Sequence, residues 1–546
     1  MLGQMMPTQL TITAIMRHAL RHHGDREIVS VVADAPLFRT TYRDVFRRAS
    51  MLAHALADAG VSAGERVATL AWNDHRHLEI YYASSCAGMV LHTLNPRLFP
   101  EQIAWIVNHA EDRCLFVDPA ILPLAEALAP RLPSVRHWIV LTDTANMPDT
   151  PLPGAVSYEA FIEGRAADYD WPDLHEDTAC SICYTSGTTG DPKGVVYSHR
   201  STVLHAMAAC MADVMGLTQR DTVLPVVPMF HANAWGVPYA APMVGAKLVM
   251  PGPKLADGEF LHRLMESEKV TLSLGVPTIW MALLQYLEAA GKTLTSLQRT
   301  IVGGAACPPA IMQAFRDRHG VATHHAWGMT ETSPLGTFNS LKQGMDALPE
   351  PDQDDIRARQ GRGIFGVELK IVGDDGAELP WDGKAFGTLK VRGPWVCSGY
   401  FRLDAGTSHD TEGWFDTGDV ANIDPDGYIQ ITDRTKDVIK SGGEWISSIE
   451  LENTAVAHAD VAEAAVIGVA HERWTERPLL LIVPKPGKTV DGEGLRRWFR
   501  GKVADWWIPD DVLVVDELPH TATGKLNKLA LREAYADHKL PGSDPS

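Results

Sequence analysis

The residues whose types and spacing could do chemistry are densest between 184 and 194, where the chain reads Tyr-Thr-Ser-Gly-Thr-Thr-Gly-Asp-Pro-Lys-Gly. Gly187, Gly190 and Gly194 let backbone N–H groups turn toward an anion, while the hydroxyls of Thr185, Ser186, Thr188 and Thr189 and the ammonium of Lys193 add donors and positive charge. Such a loop handles a polyphosphate. Residues 179–184 read as a short buried strand entering the loop and residues 194–197 as a strand leaving it. A nucleotide-kinase P-loop needs Gly-Lys-Ser/Thr opening a helix; here Pro192 precedes Lys193 and Gly194 follows it, so that reading fails on spacing and context. A plain Gly/Ser/Thr surface turn is the competing account.

Seven further segments carry reactive types. Residues 228–236 (Pro-Met-Phe-His-Ala-Asn-Ala-Trp-Gly) present His231, able to hydrogen-bond a carboxylate, and the aromatic Trp235. Val302 runs into Gly303, Gly304 and Ala305, which permit flat approach of a planar base to the backbone. His325-Ala326-Trp327-Gly328-Met329-Thr330-Glu331-Thr332 combines an aromatic, hydroxyls and one hard carboxylate oxygen donor. Trp414 to Asp419 ends in a carboxylate, an acceptor-only group with two oxygens that suits a vicinal diol. Asp433-Arg434-Thr435-Lys436-Asp437 leads to Lys440-Ser441-Gly442-Gly443-Glu444-Trp445, and Leu518 to Gly524 ends at Lys525. Taken singly, His231 reads as a packed histidine, Trp235 as core, Glu331 as a surface acid and Lys525 as an exposed turn lysine.

The order of these segments, spanning nearly the whole chain, resembles the adenylate-forming (acyl-CoA synthetase/luciferase) superfamily. Within it the chain is most similar to medium- and long-chain fatty-acid-CoA ligases and to 3-methylmercaptopropionate-CoA ligases. The resemblance implies an ATP-dependent acid-CoA ligase that activates a medium- to long-chain fatty acid as acyl-AMP and passes the acyl group to CoA, with ATP, Mg²⁺ and coenzyme A required. A short thioether acid is the alternative substrate.

By the same resemblance the residues 185–190, with Lys193, bind phosphates. Gly303, Gly304, Ala305, His325, Ala326, Trp327, Gly328 and Thr330 surround adenine and phosphate, and Trp327, replacing the usual tyrosine, keeps the stacking but loses a phenol. Glu331 and Thr185 hold the metal. Asp419 and Arg434 take the ribose, Lys436 is the hinge of a mobile domain, and Lys440 is a further nucleotide contact. His231, Trp235 and Gly275 line the acyl site. Gly442, Gly443, Glu444 and Trp445 face CoA, and Lys525 is the catalytic lysine, acting with Glu331, Thr185 and His231.

The elements that must position these groups follow from patterning. Helical stretches at 50–59 and 78–89 alternate with apolar strands at 66–70, 114–117 and 137–141, the rhythm of βαβ units and a mostly parallel sheet. Residues 143–154 read as a surface connection, and the acidic residues 346–360 as a loop. From residue 366 short strands and Gly/Asp turns suggest a small β-barrel-like part. The sharpest boundary lies at the Asp433–Asp437 segment, followed by helices at 448–458 and 493–503 and strands at 464–469 and 479–483. The fold class is therefore α/β and multidomain: a large N-terminal domain, 1–433, of βαβ-type sheets with the barrel-like part, then a small mobile α+β domain, 434–546.

Composition bounds the alternatives. A chain of 546 residues exceeds what one core usually supports, and 45% apolar with 21% charged residues is ordinary for a globular enzyme. A net charge of −19 argues against a nucleic-acid partner, and no stretch marks the chain for export or stable membrane insertion, which points to the cytoplasm. Seven scattered cysteines suit reduced thiols, and Cys180 and Cys183 read as core strand rather than zinc ligands. A homodimer follows from the resemblance alone. Two rivals remain: an adenylating enzyme with another acceptor, and a non-catalytic nucleotide- or acyl-binding protein.

Overall fold

The computed structural model describes residues 1, 3–32, 35–185, 191–403, 408–434, 437–441, 444–471, 473–520 and 526–541. It divides into two compact units. The first comprises Met1–Arg357, Gly363–Glu368 and Arg392–His409; the second comprises Ala358–Arg362, Leu369–Val391 and Asp410–Ser546.

Two sheets organise the first unit. One has seven strands in the order Val156–Ser157, His137–Val140, Cys114–Val117, Arg66–Leu70, Val90–Thr93, Ala179–Tyr184, Gly194–Ser198. All neighbours are parallel except the last pair, which forms the two stems of the phosphate loop. The strands are short apolar runs buried on both faces, as parallel sheets require. The other sheet places Thr222–Pro225, Leu272–Gly275, Arg299–Val302 and Ala322–Gly328 side by side in parallel, so their carboxyl ends, where Gly275, Gly303 and Trp327 lie, open toward one edge.

Helices cover these sheets because their apolar residues recur with helical spacing. In Tyr42–Asp58 the buried set Tyr42, Val45, Phe46, Ala49, Leu52, Ala53 and Leu56 forms one stripe, and the Thr41 hydroxyl accepts the Asp44 N–H at 3.2 Å to start the helix. Helix His75–Cys86 is buried along its whole length, polar residues included. Glu79 inside it is matched by Arg48 at 2.8 Å and by the Tyr158 hydroxyl at 2.6 Å. No helix among the described residues is long and apolar enough to cross a membrane.

Residues 346–360 depart from the loop reading, since Glu350–Ala358 is a helix. It buries no residue, so no apolar period announces it; Arg316–Glu350 and Arg357–Asp354 ion pairs hold it.

In the second unit Glu368–Val372, Gly387–Arg392, Phe415–Ile423, Tyr428–Arg434 and Gly361–Gly363 follow one another as neighbouring strands, antiparallel along Gly387–Arg392, Phe415–Ile423, Tyr428–Arg434 and Gly361–Gly363. A separate mixed sheet pairs Val461–His471 with Thr475–Pro484 antiparallel, and the latter with Asp511–Val514 parallel. Its strands alternate between two cores. Ala464, Val466, Leu480 and Ile482 pack with Leu451 and Leu495 of the helices Ser448–Val456 and Gly492–Trp498, whereas Ala465, Ile467, Leu479 and Leu481 pack with Leu531 of helix Lys528–Ala534. The helix placed at 493–503 ends at Trp498, ahead of Gly501 with φ +73°.

Candidate active site

The stems of the phosphate loop are locked together where the loop begins. Tyr184 faces Gly194 across the strand pair, the Thr185 N–H donates to the Lys193 carbonyl at 2.9 Å, and the Lys193 N–H donates to the Thr185 hydroxyl at 3.3 Å. Glycine is needed at 194: a Cβ there would stand 3.0 to 3.2 Å from Ile182, Tyr184 and Phe401. The Gly194 carbonyl in turn accepts the Phe401 N–H at 2.8 Å. The loop interior itself, Ser186, Gly187, Thr188, Thr189 and Gly190, lies outside the described residues.

The segment after His231 has an unusual backbone. Ala232, Asn233, Ala234, Trp235 and Gly236 have φ of 42, 52, 48, 56 and 80°, a left-handed turn carrying four side-chain-bearing residues in succession. Each such residue costs about 1–2 kcal/mol relative to a right-handed one, so the turn exists because its surroundings impose it. Asn233 is the pin: buried, it donates to Ser181 Oγ at 3.1 Å and accepts the Tyr81 hydroxyl at 3.3 Å and the Cys183 thiol at 3.5 Å. Ser181 and Cys183 belong to the strand that enters the phosphate loop. At the exit, a Cβ on Gly236 would meet His205 Nδ1 at 2.7 Å, and His205 Nε2 accepts the Leu335 N–H at 3.2 Å. Burial pushes His205 down to about 4, so it packs as the neutral ring.

His231 opens this turn, half-buried, its N–H donating to the Pro228 carbonyl at 3.1 Å. Trp235 is 8% exposed and reaches the end of strand Arg299–Val302, since a Cβ on Gly303 would stand 3.1 Å from its Cη2 and 3.1 Å from the Ala326 carbonyl. Gly304 follows with φ +79°. The structure thus brings Trp235, Gly303 and Ala326 into one place. Gly275 is occupied differently: its carbonyl accepts Trp280 Nε1 at 3.2 Å, and a Cβ there would meet that ring at 2.8 Å. Ala305 lies in a bend after strand Arg299–Val302, and His325 is buried within strand Ala322–Gly328.

Trp327 is buried with its ring against Gly336, and Gly328 can only be glycine because a Cβ would overlap the Pro334 carbonyl. Thr330–Thr332 forms a single helical turn tied to its surroundings from both sides: Tyr197, on the strand leaving the phosphate loop, donates its hydroxyl to the Thr330 carbonyl at 2.7 Å, and the Cys397 N–H donates to the Glu331 carbonyl at 2.8 Å. Glu331 is 6% exposed, and one carboxylate oxygen accepts the Tyr400 hydroxyl at 2.8 Å. The ammonium of Lys193 lies over the Tyr400 ring, 4.9 Å from its centre. Burial, and after it the Glu331 charge, push the Tyr400 phenol up, so it stays a donor. Tyr400 was not among the residues expected from the sequence; a lone phenol in an irregular segment carries no periodic signal, and only its place between two glycine-flanked motifs could have drawn attention to it.

Could these residues hold Mg²⁺? Among the described residues no group of three or more His, Cys, Asp or Glu side chains could cage a metal. The Glu331 carboxylate is a hard oxygen donor of the kind that would suit a Mg²⁺ arriving on nucleotide phosphates, since this ion keeps most of its ligands as water and phosphate oxygen. Cys180 and Cys183 are buried and free, their thiols pushed up to about 11 by burial, as core residues.

In the second unit Asp419 faces Arg434 across the strand pair Phe415–Ile423 and Tyr428–Arg434. Arg434 Nε lies 2.8 Å from Asp419 Oδ1, and its Nη1 donates to the Thr417 carbonyl at 3.1 Å. Lys440 is exposed, with its N–H donating to Glu476 at 2.9 Å. The backbone at Glu444 and Trp445 is a short strand. Lys436, Gly442, Gly443 and Lys525 lie outside the described residues.

Comparison with known proteins places this arrangement. Residues 16–401 match the AMP-binding enzyme family and residues 450–525 the AMP-binding enzyme C-terminal domain. The chain is 53% identical over 537 residues to a 3-methylmercaptopropionyl-CoA ligase of Ruegeria pomeroyi, covering 98% of this chain and 99% of the relative. It is 50% identical over 544 residues to a medium-chain-fatty-acid–CoA ligase of Ectopseudomonas oleovorans, covering 100% and 99%. Among solved structures, an anthranilate CoA ligase in complex with anthranoyl-AMP superposes with a TM-score of 0.86 at 26% identity, covering 97% of this chain and 98% of that one. The chain belongs to the AMP-binding enzyme family. It is an acid–thiol ligase of the AMP-forming acyl-CoA synthetase class, joining a carboxylic acid to CoA through an acyl-adenylate at the expense of ATP.

Proposed function

We propose that the acid is a medium- to long-chain fatty acid, activated by groups named above. The observation that supports the adenylation step is the meeting of Lys193 and Glu331 on Tyr400, a cation suited to phosphate and an acid suited to a metal; the fatty-acid part is supported by the medium-chain-fatty-acid–CoA ligase at 50% identity. A carboxylate oxygen attacks the α-phosphorus of ATP, the bond to the β-phosphate oxygen breaks, and pyrophosphate leaves. Lys525, Lys193 and the hydroxyl of Thr185 neutralise charge that develops on the phosphates. Asp419 and Arg434 hold the ribose, and Gly303, Gly304 and Trp327 accept the adenine. Glu331 and Thr185 would hold Mg²⁺, which would supply a Lewis acid there.

A turn about Lys436 then withdraws Lys525, and the Gly442–Gly443 segment faces the thiol. The CoA sulfur attacks the acyl carbon, its proton passes to solvent, and AMP leaves. Adenylation matters because oxide is a poor leaving group and AMP a good one.

Trp235, buried in its left-handed turn against Gly303, is the aromatic that meets the acyl chain. The 3-methylmercaptopropionate reading is favoured by the relative of that name at 53% identity. A thioether sulfur stands where a fatty acid has a methylene, and each methylene changes transfer energy by only ~0.8 kcal/mol, so one apolar site grades the two rather than excluding either. AMP release measured with CoA across acids from 3-methylmercaptopropionate to palmitate tests the assignment. A maximum among the medium- to long-chain acids supports the fatty-acid reading; a maximum at the thioether acid replaces it. Homodimerisation, implied by the resemblance, is a further proposal that sedimentation in solution tests.

A further inference from the structure

Tyr400 touches two groups of opposite charge with different parts of one side chain. Its hydroxyl donates to the buried Glu331 carboxylate at 2.8 Å, while its ring face receives the Lys193 ammonium at 4.9 Å from the centre. The neighbouring backbone is fixed to the same two motifs: Cys397 N–H donates to the Glu331 carbonyl, Phe401 N–H to the Gly194 carbonyl, and Ser333 Oγ to the Trp395 carbonyl at 2.8 Å. The segment 395–401 is therefore a strap, bonded at one end to the Glu331 turn and at the other to the stem of the phosphate loop. Tyr400 is the residue of that strap that engages both motifs through its side chain.

Chemistry gives this placement a purpose. An exposed, flexible lysine and a buried carboxylate of opposite charge attract each other when brought into one site. An ion pair between them would use up the cation meant for a phosphate and the oxygen meant for a metal. A phenol resolves the conflict, because its face is negative and binds an ammonium while its hydroxyl is a donor and binds a carboxylate.

Building on the reading of Glu331 and Lys193 given above, we propose that Tyr400 is a positioning residue for adenylation: it fixes the Glu331 carboxylate for the metal and holds the Lys193 ammonium apart from it, ready for a phosphate.

Two substitutions separate the two contacts. Tyr400→Phe keeps the ring and deletes the hydroxyl; Tyr400→Leu deletes both interactions. Metal binding is read on the full-length enzyme by electron paramagnetic resonance of Mn²⁺ at saturating ATP, and nucleotide binding by calorimetry with ATP in EDTA. Tyr400→Phe should weaken Mn²⁺ roughly tenfold, the value of one hydrogen bond to a charged group, and leave metal-free ATP binding unchanged. Tyr400→Leu should weaken Mn²⁺ as much and also weaken metal-free ATP roughly threefold, as expected for a lost cation–π contact. A purely structural tyrosine would give no such split. Wild-type Mn²⁺ affinity in Tyr400→Phe overturns the positioning of Glu331, and wild-type metal-free ATP affinity in Tyr400→Leu overturns the positioning of Lys193. Glu331→Gln serves as the control. Loss of Mn²⁺ affinity in the control with none in Tyr400→Phe defeats this inference alone, whereas intact affinity in the control defeats the assignment of Glu331 to the metal.

Discussion

Asp419 and Arg434 face each other across two antiparallel strands, with Arg434 Nε 2.8 Å from Asp419 Oδ1. The aspartate side chain is buried and the arginine is partly open to solvent, so the pair itself contributes little stability after screening. Its value is orientation. The strand register points both side chains the same way, and the ion pair fixes how the carboxylate is turned.

Replacing Asp419 with alanine should therefore act on nucleotide binding and spare the fold. A buried polar partner left unmet costs ~1–3 kcal/mol, so the KM for ATP should rise roughly tenfold or more while that for the acid stays put. Steady-state kinetics with each substrate varied in turn checks this, and an equal rise in both would count against a ribose contact.

The left-handed turn makes a second prediction. Gly236 has φ +80° and a Cβ there would stand 2.7 Å from His205 Nδ1. Gly236→Ala adds about 1–2 kcal/mol of backbone strain to that overlap and must displace the turn that carries Trp235. The KM for the acid should increase and the chain-length preference should broaden, with ATP binding unaltered. An AMP-release screen of the variant across acids is the measurement.

Three histidines of the first unit, His77, His199 and His205, are held at about 4 by burial. Their unfolded value is near 6.5, so between pH 6.5 and 4 the unfolded chain binds more protons than the folded one. Stability should therefore be fully present above pH 6.5 and fall as the pH drops, each histidine removing up to ~3 kcal/mol by pH 4. Urea midpoints across this range should show the slope, and His205→Gln should remove about one proton's share of it.

Much of this was legible in the sequence, for identifiable reasons. Strand Arg66–Leu70 is a short apolar run between polar neighbours, and the structure ends it at the residues the pattern marks. The helix read at 50–59 begins eight residues earlier at Tyr42, because Arg43, Asp44, Arg47 and Arg48 hide an apolar stripe that only a helical wheel exposes. The turn at 232–236 could not be read: Ala232, Asn233, Ala234 and Trp235 contain no glycine to announce a positive φ, and the conformation comes from Asn233 meeting Ser181 and Tyr81, far away in sequence. The same holds for Tyr400, whose partners are 69 residues away at Glu331 and on the phosphate loop. Local chemistry shows in the order of residues, whereas pairings between distant segments arise only on folding.

Acyl-adenylate formation supported by Lys525 is the central step, and exchange of labelled pyrophosphate into ATP without CoA reads it directly. Wild-type enzyme should exchange only when the carboxylic acid is present, and Lys525→Ala should lose roughly a hundredfold or more of that rate while still making thioester from synthetic acyl-AMP and CoA. Exchange that ignores the acid, or a variant in which both half-reactions fall together, would contradict it.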